Sequence, residues 1–139
     1  MNTERRFLLD TDTISDLVRN PQGQVARMIA HHDEHAVATS AVVASELRFG
    51  AMKRGSARLS RQLEVVLGAL DVLPLESPAD LRYAELRVAL ERTGTPIGPN
   101  DMLIAAHALA LNLAIVTGNT SEFSRVPMLT AVDWMGRRA

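Results

Sequence analysis

Apolar and polar positions along this chain fall into short apolar runs separated by helical stripes. Phe7-Leu8-Leu9, closed by the polar Asp10-Thr11-Asp12-Thr13, predicts a short buried strand. Thr13 with Asp16 three residues on has the pattern of a capping box, so a helix is expected from there through Val18, stopped by Asn20-Pro21. Val25, Met28 and Ile29 share one face of a second helix over residues 24–31, and residues 36–39 read as a second strand. Ser40 is placed to cap a helix over residues 41–54 that Gly55 ends. Leu59, Leu63, Val66, Leu67 and Leu70 keep helical spacing, and residues 71–75 form a third strand cut short by Pro74. Ser77-Pro78-Ala79-Asp80 has the residue types of a helix start, giving a helix to about Arg92.

The most distinctive stretch follows. From Met102 to Leu111 nearly every residue is apolar and a strong helix former, with no polar face, which is the pattern of a helix buried on most sides. His107 within it is read as a satisfied core histidine. Leu113 to Thr117 is a short apolar run suited to a strand covered on both faces, followed by a polar turn, a brief segment at residues 121–123 and a last strand near residues 128–132. Strands alternating with helices predict an α/β fold: a three-layer sandwich with a mainly parallel central sheet flanked by helices, as a single domain over residues 1–139.

Composition narrows the function classes. A net charge of −1 gives no global basic field to attract nucleic acid. Lys53 is the only lysine among 15 cationic residues, so the positive side is almost all arginine, a residue suited to phosphate as well as carboxylate. The absence of cysteine rules out disulfides and thiolate metal sites. No apolar run reaches the roughly 20 residues of a membrane span, and no signal-like stretch precedes Phe7. The expectation is a cytoplasmic protein without a membrane partner. His31, His32 and His35 lie at a helix end and read as surface histidines.

Three acids stand where a stable fold does not require them. Asp10 ends an apolar strand, and strand carboxyl ends line the ligand crevice of a parallel sheet. Glu46 falls near the middle of an arc shared with Val42, Val43, Leu47, Phe49 and Gly50 when residues 41–54 are laid out at about 100° per residue. A lone carboxylate aimed at a core is costly unless paired or bound to metal. Asp101 occupies the first turn of the buried helix. Carboxylates that converge without lysines repel one another unless a hard divalent cation neutralises them, and Mg²⁺ or Mn²⁺ suits chemistry on phosphate esters. Asn119 and Glu122, beyond the Thr117 strand end, are further oxygen donors.

Four blocks together resemble the PIN-domain ribonucleases and, more closely, the VapC toxins of toxin–antitoxin pairs. They are Phe7-Leu8-Leu9-Asp10-Thr11-Asp12-Thr13; Thr39-Ser40 with Ser45-Glu46-Leu47-Arg48-Phe49-Gly50; Gly94-Thr95-Pro96-Ile97-Gly98-Pro99-Asn100-Asp101 with Ile104-Ala105-Ala106-His107-Ala108; and Ile115-Val116-Thr117-Gly118-Asn119 with Glu122-Phe123 and Trp134. The resemblance spans nearly the whole chain. It implies Mg²⁺- or Mn²⁺-dependent endoribonuclease activity, with Asp10, Glu46 and Asp101 as the catalytic acids and Asp10 and Asp101 as the usual metal positions. Glu46 and Glu122 are further metal-ligand candidates, with Thr117, Asn119 and Asp12 in support. Asp12 departs from the asparagine the family often has there, and Asn119 from an aspartate found in some relatives, which leaves Glu122 as the fourth acid. Arg48, Arg54 and Arg58 are candidate RNA contacts. The resemblance also implies a cognate VapB-type antitoxin covering the acidic site and a homodimer, for which Tyr83, Leu86 and Leu90 supply a stripe that core packing explains equally well.

Two rivals follow from the same residues. The strand-end acids Asp10 and Asp12 suit a phosphatase of the haloacid dehalogenase type, the first as nucleophile and the second as acid/base. That reading lacks a lysine in context and a late pair of acids, and it leaves Glu46 unexplained. A degenerate, non-catalytic PIN module is disfavoured because all three principal acids are present.

Overall fold

The structure, a computed structural model, describes residues 4–136. The flanking residues of the expected 1–139 unit lie outside that range. Five strands, β1 (Phe7–Leu9), β2 (Val37–Ser40), β3 (Asp71–Leu73), β4 (Ala114–Val116) and β5 (Ala131–Val132), form one all-parallel sheet in the order β3-β2-β1-β4-β5. Helices flank it: α1 (Thr11–Arg19), α2 (Gln24–His32), α3 (Ala41–Arg54), α4 (Ala57–Gly68), α5 (Ala79–Arg92), α6 (Pro99–Leu111) and the short α7 (Thr120–Phe123). Every β1, β2 and β4 side chain except that of Ala114 is buried, which is why these strands read as continuous apolar runs.

The strand order fixes where a ligand can sit. From β1 the chain builds β2 and β3 outward on one side, then returns to place β4 and β5 on the other. The reversal falls between β1 and β4, and in open parallel sheets the crevice at the carboxyl ends of such neighbours is where ligands bind. Register carries this to single residues: Leu9 pairs with Val116, and the Asp10 amide donates to the Val116 carbonyl at 2.9 Å. Asp10 and Thr117 therefore leave the sheet side by side.

Most local expectations hold, and the differences have physical causes. The helix after β1 starts two residues before Thr13, with Asp10 in the N-cap position yet making no side-chain cap bond, because its carboxylate is turned toward Thr117. Ser40 caps α3 by accepting from the Val42 amide at 3.0 Å, and Gly55 ends it in the left-handed region at φ 67°. The Ser77 hydroxyl bonds the Asp80 carboxylate at 2.9 Å instead of capping α5 at the backbone.

On α3 the sequence placed the buried arc wrongly. Val43, Ala44 and Ala51 face the core, Phe49 is 66% exposed, and Glu46 is half-buried at the edge of the packed face. The core-facing arc is completed by small alanines, which carry little weight in a pattern of large apolar residues. On α5, Leu86 and Leu90 are buried, and Tyr83 packs against the core while accepting from Arg87 at 3.0 Å. That stripe belongs to the interior and not to a dimer face.

The buried helix is confirmed: Ile104, Ala105, Ala106, His107 and Ala108 of α6 are all buried. Among the described residues no helix is long and apolar enough to cross a membrane. Ile104→Ala should lower unfolding free energy by about 2–5 kcal/mol, whereas Val65→Ala, at a site 73% exposed, should stay within about 0.5 kcal/mol. Urea denaturation of both variants checks this; an Ile104→Ala loss as small as that of Val65→Ala would refute the buried-helix account.

Candidate active site

One open cleft at the carboxyl ends of β1 and β4 is lined by Asp10, Thr11, Asp12, Ser15, Arg19, Glu46, Asp101 and Asn119. The structure thus brings together the three acids singled out from the sequence, each delivered by a different element. Asp10 leaves β1, Glu46 stands nearly two turns into α3, and Asp101 lies in the first turn of α6.

Asp10 is the most constrained of them. Its Oδ2 accepts from the buried Thr117 hydroxyl at 2.8 Å, while its Oδ1 is buried without any hydrogen-bond partner. Thr117 is itself held, accepting the Asn119 amide at 3.0 Å. Burial pushes Asp10 up from its ordinary 3.8 to about 6; the Thr11 amide and Thr117 hydroxyl oppose this, and the charges of Asp12 and Glu46 add to it. Asp101 rises to about 7, first through burial, then through the Asp10 charge and its hydrogen bond to Glu122. Glu122 moves the other way, against its own burial, because the Gly98 amide and the Asn119 side chain donate to it. Asp101 is therefore the member of that pair that keeps the proton.

The remaining acids are anchored at the rim. Glu46 accepts from the Thr11 hydroxyl at 2.6 Å and the Asn100 amide at 3.2 Å, with no arginine partner among the described contacts. Asp12 accepts from the Gly118 amide at 2.9 Å and the Thr13 hydroxyl at 3.3 Å, which ties the β1 exit to the β4 exit. Glu122 sits behind Asn119 and reaches the cleft through its bond to Asp101. Among the described residues no three acidic or imidazole groups are gathered tightly around one point; Glu46 and Glu122 are each held by their own donors.

The donor set nevertheless fits a hard divalent cation. A buried carboxylate oxygen with no partner costs about 1–3 kcal/mol, and all the acids here offer oxygen ligands of the kind Mg²⁺ and Mn²⁺ take. The raised pKa values of Asp10 and Asp101 come first from burial and then from the neighbouring carboxylates, and a cation bound in the cleft would offset both.

None of the three candidate RNA-contact arginines lines the cleft. Arg48 is held to Glu64 through two bonds of 3.0 Å. Arg54 lines an apolar groove between α1, α3 and α4 beside the cleft, and Arg58 is exposed in the first turn of α4. Arg19 is the cation that lines the cleft, and it also borders that groove. Sequence reading assigned no role to it, nor to Thr11, Ser15 or Asn100. The signal was present: residues 11, 15 and 19 share a helix face, but only if the helix is started at Thr11 instead of Thr13.

Comparison with known proteins agrees with this geometry. The PIN domain family matches residues 7–129. Ribonuclease VapC2 of Rickettsia felis is 32% identical over 130 residues, 92% of this chain and 97% of that protein. The tRNA(fMet)-specific endonuclease VapC of Salmonella typhimurium is 34% identical over 132 residues, 93% of this chain and 98% of that protein. The crystal structure of VapBC2 from Rickettsia felis bound to a DNA fragment from their promoter matches with a TM-score of 0.85 and 29% identity, covering 92% of this chain and 98% of that one.

The acidity of Asp10 makes stability depend on pH in a definite sense. The folded state keeps this proton to higher pH than the unfolded chain, so stability is intact below about pH 4 and declines as pH rises through about 6. In EDTA, Asp10→Asn should therefore exceed the wild type in stability at pH 8, by on the order of 1–3 kcal/mol, and match it at pH 4. Thermal unfolding at the two pH values checks this; equal melting at pH 8 would show that Asp10 is not held against its charge.

Proposed function

The chain belongs to the PIN-domain family, in the branch of the VapC ribonucleases, and we propose that it is a Mg²⁺- or Mn²⁺-dependent endoribonuclease, the toxin of a type II toxin–antitoxin pair. The observation that carries this is the meeting of Asp10, Glu46 and Asp101 in one cleft at the β1/β4 switch point, together with a buried Asp10 oxygen that has no hydrogen-bond partner. A homodimer restrained by a VapB-type antitoxin is part of the same proposal; related solved structures are VapBC assemblies. The Salmonella relative's name makes tRNA(fMet) the first defined RNA to test.

Asp10 and Asp101 would hold the cation, with Glu46 and Glu122 at its fringe. Once bound, the ion supplies positive charge for the phosphodiester transition state and lowers the pKa of an attacking water. The protein's own groups do the rest. Thr117 fixes the Asp10 carboxylate by donating to Oδ2, leaving Oδ1 free to ligate. Thr11 and Asn100 hold the Glu46 carboxylate at the rim, where it accepts a hydrogen bond from water and sets the line of attack. Asp12 and the Gly118 amide keep the two strand exits together. Arg19 supplies the cleft's guanidinium for a phosphate flanking the scissile bond. No covalent enzyme intermediate is required.

The phosphatase reading is not favoured. Asp12 is engaged with Gly118 and Thr13, and Lys53 lies over the Phe49 ring at 5.9 Å, outside the cleft lining. A non-catalytic module is not favoured either, since all three acids share the cleft.

Purified protein freed of any co-purifying partner should cut labelled cellular RNA, and tRNA(fMet) within it, with Mg²⁺ or Mn²⁺ and not with EDTA. Asp101→Asn should reduce the rate by at least about 100-fold, the scale of losing a metal-organising group. Absence of metal-dependent cutting, or full activity in Asp101→Asn, would overturn the proposal. Separately, Arg19→Ala should raise KM several-fold and reduce the salt dependence of RNA binding by about 0.7 in the log–log slope, as expected for one lost phosphate contact on a single strand. Arg48→Ala should leave both unchanged, and identical behaviour of the two variants would remove Arg19 from the site.

A further inference from the structure

His107 does more than fill the core. It is 2% exposed in the middle of α6, and its Nδ1 lies 2.9 Å from the Ser40 hydroxyl. Ser40 Oγ is at the same time the N-cap of α3, accepting the Val42 amide at 3.0 Å. The backbone carbonyl of Pro74, just beyond β3, faces the ring as an acceptor. A neutral imidazole protonated on Nε2 satisfies every partner: Nδ1 accepts the Ser40 hydroxyl, and the remaining N–H serves the carbonyl. Burial keeps the ring neutral, against the Pro74 carbonyl and the Glu76 charge that favour the protonated form. A hydrophobic side chain would fill the space but leave the buried Ser40 hydroxyl without its acceptor.

The two helices joined here are the ones that carry Glu46 and Asp101. Glu46 lies six residues along α3 after Ser40, and Asp101 six residues before His107 along α6, roughly 9 Å of helix each at 1.5 Å per residue. Asn100 closes the same link at the cleft end by donating to Glu46. We infer that His107 is a positioning residue: its bond to the Ser40 cap sets the register of α6 against α3 and thereby the separation of the Asp101 and Glu46 carboxylates. This role rests on the nuclease reading above. Sites of this kind demand placement within about 0.5 Å, which side chains locked by a second layer of hydrogen bonds provide.

The test compares His107→Leu, His107→Gln, Ser40→Ala and the His107→Leu/Ser40→Ala double variant by two readouts. One is Mn²⁺ binding to the RNA-free protein, followed by electron paramagnetic resonance; the other is steady-state RNA cleavage. His107→Leu and Ser40→Ala should each weaken Mn²⁺ binding about five-fold and lower kcat about ten-fold with KM for RNA unchanged. The double variant should be no worse than the single ones, and His107→Gln, which keeps one acceptor and one donor, should recover most of both. A folded His107→Leu with wild-type Mn²⁺ affinity and kcat overturns the role. If His107→Leu does not fold, Ser40→Ala decides, because it leaves the ring in place: wild-type behaviour there overturns the role equally. A wild type that neither binds Mn²⁺ nor cuts RNA overturns the nuclease reading, and this inference with it, which separates the two failures.

Discussion

Everything at the cleft depends on a carboxylate held where its charge is disfavoured. Asp10 leaves the sheet with its amide still in the β1–β4 ladder, which sets its backbone beside Thr117, and its carboxylate accepts from that hydroxyl. One oxygen is satisfied by that hydroxyl and the other is buried alone. A residue in the N-cap position would ordinarily turn back to the first free amides of its helix; here that local option gives way to the cleft. The protein therefore carries a standing electrostatic cost, which falls when the group is protonated and would also fall were a cation to occupy the cleft. This is the form strain takes at a functional site: local stability set aside, with the surrounding sheet rigid enough to sustain it.

The helices around that point act as delivery devices of differing precision. Asp101 arrives at the start of a helix whose central residues, Ile104 to Ala108, are all buried, so its place is fixed by the core. Glu46 arrives on a helix edge and depends on Thr11 and Asn100 for its orientation. The tie between the Ser40 cap and His107 links these two deliveries at their far ends. Charge follows the same economy: the acids crowd the cleft, Arg19 faces it, and Arg48 is neutralised by Glu64. A chain of near-zero net charge can thus meet a polyanion through one local cation and a bound ion without a global basic field.

Periodicity and residue type determined a good deal. The alternation of apolar runs and helical stripes gave the α/β class and the parallel sheet, because a strand covered on both faces must read as a continuous apolar run. Caps and stops were legible at Ser40 and Gly55, where the required chemistry is confined to one or two residues. The three acids stood out because an ionised group beside apolar neighbours needs a reason. The four motif blocks then tied them to a family that the comparisons bear out.

Tertiary structure alone decided the rest. Strand order is a long-range property, and only it puts Asp10 beside Thr117, more than a hundred positions later in the chain. The facing of α3 depended on how closely its alanines meet the core, so Phe49 lies outside and Glu46 at the edge. Arg19, and not the arginines of α3 and α4, reaches the cleft because α1 begins at Thr11, a start set by the switch point and not by the Thr13 cap signal. Local sequence reports what each residue can tolerate; which carboxylate oxygen is left unpaired, and which cation stands near it, is settled by the packing of segments far apart in the chain.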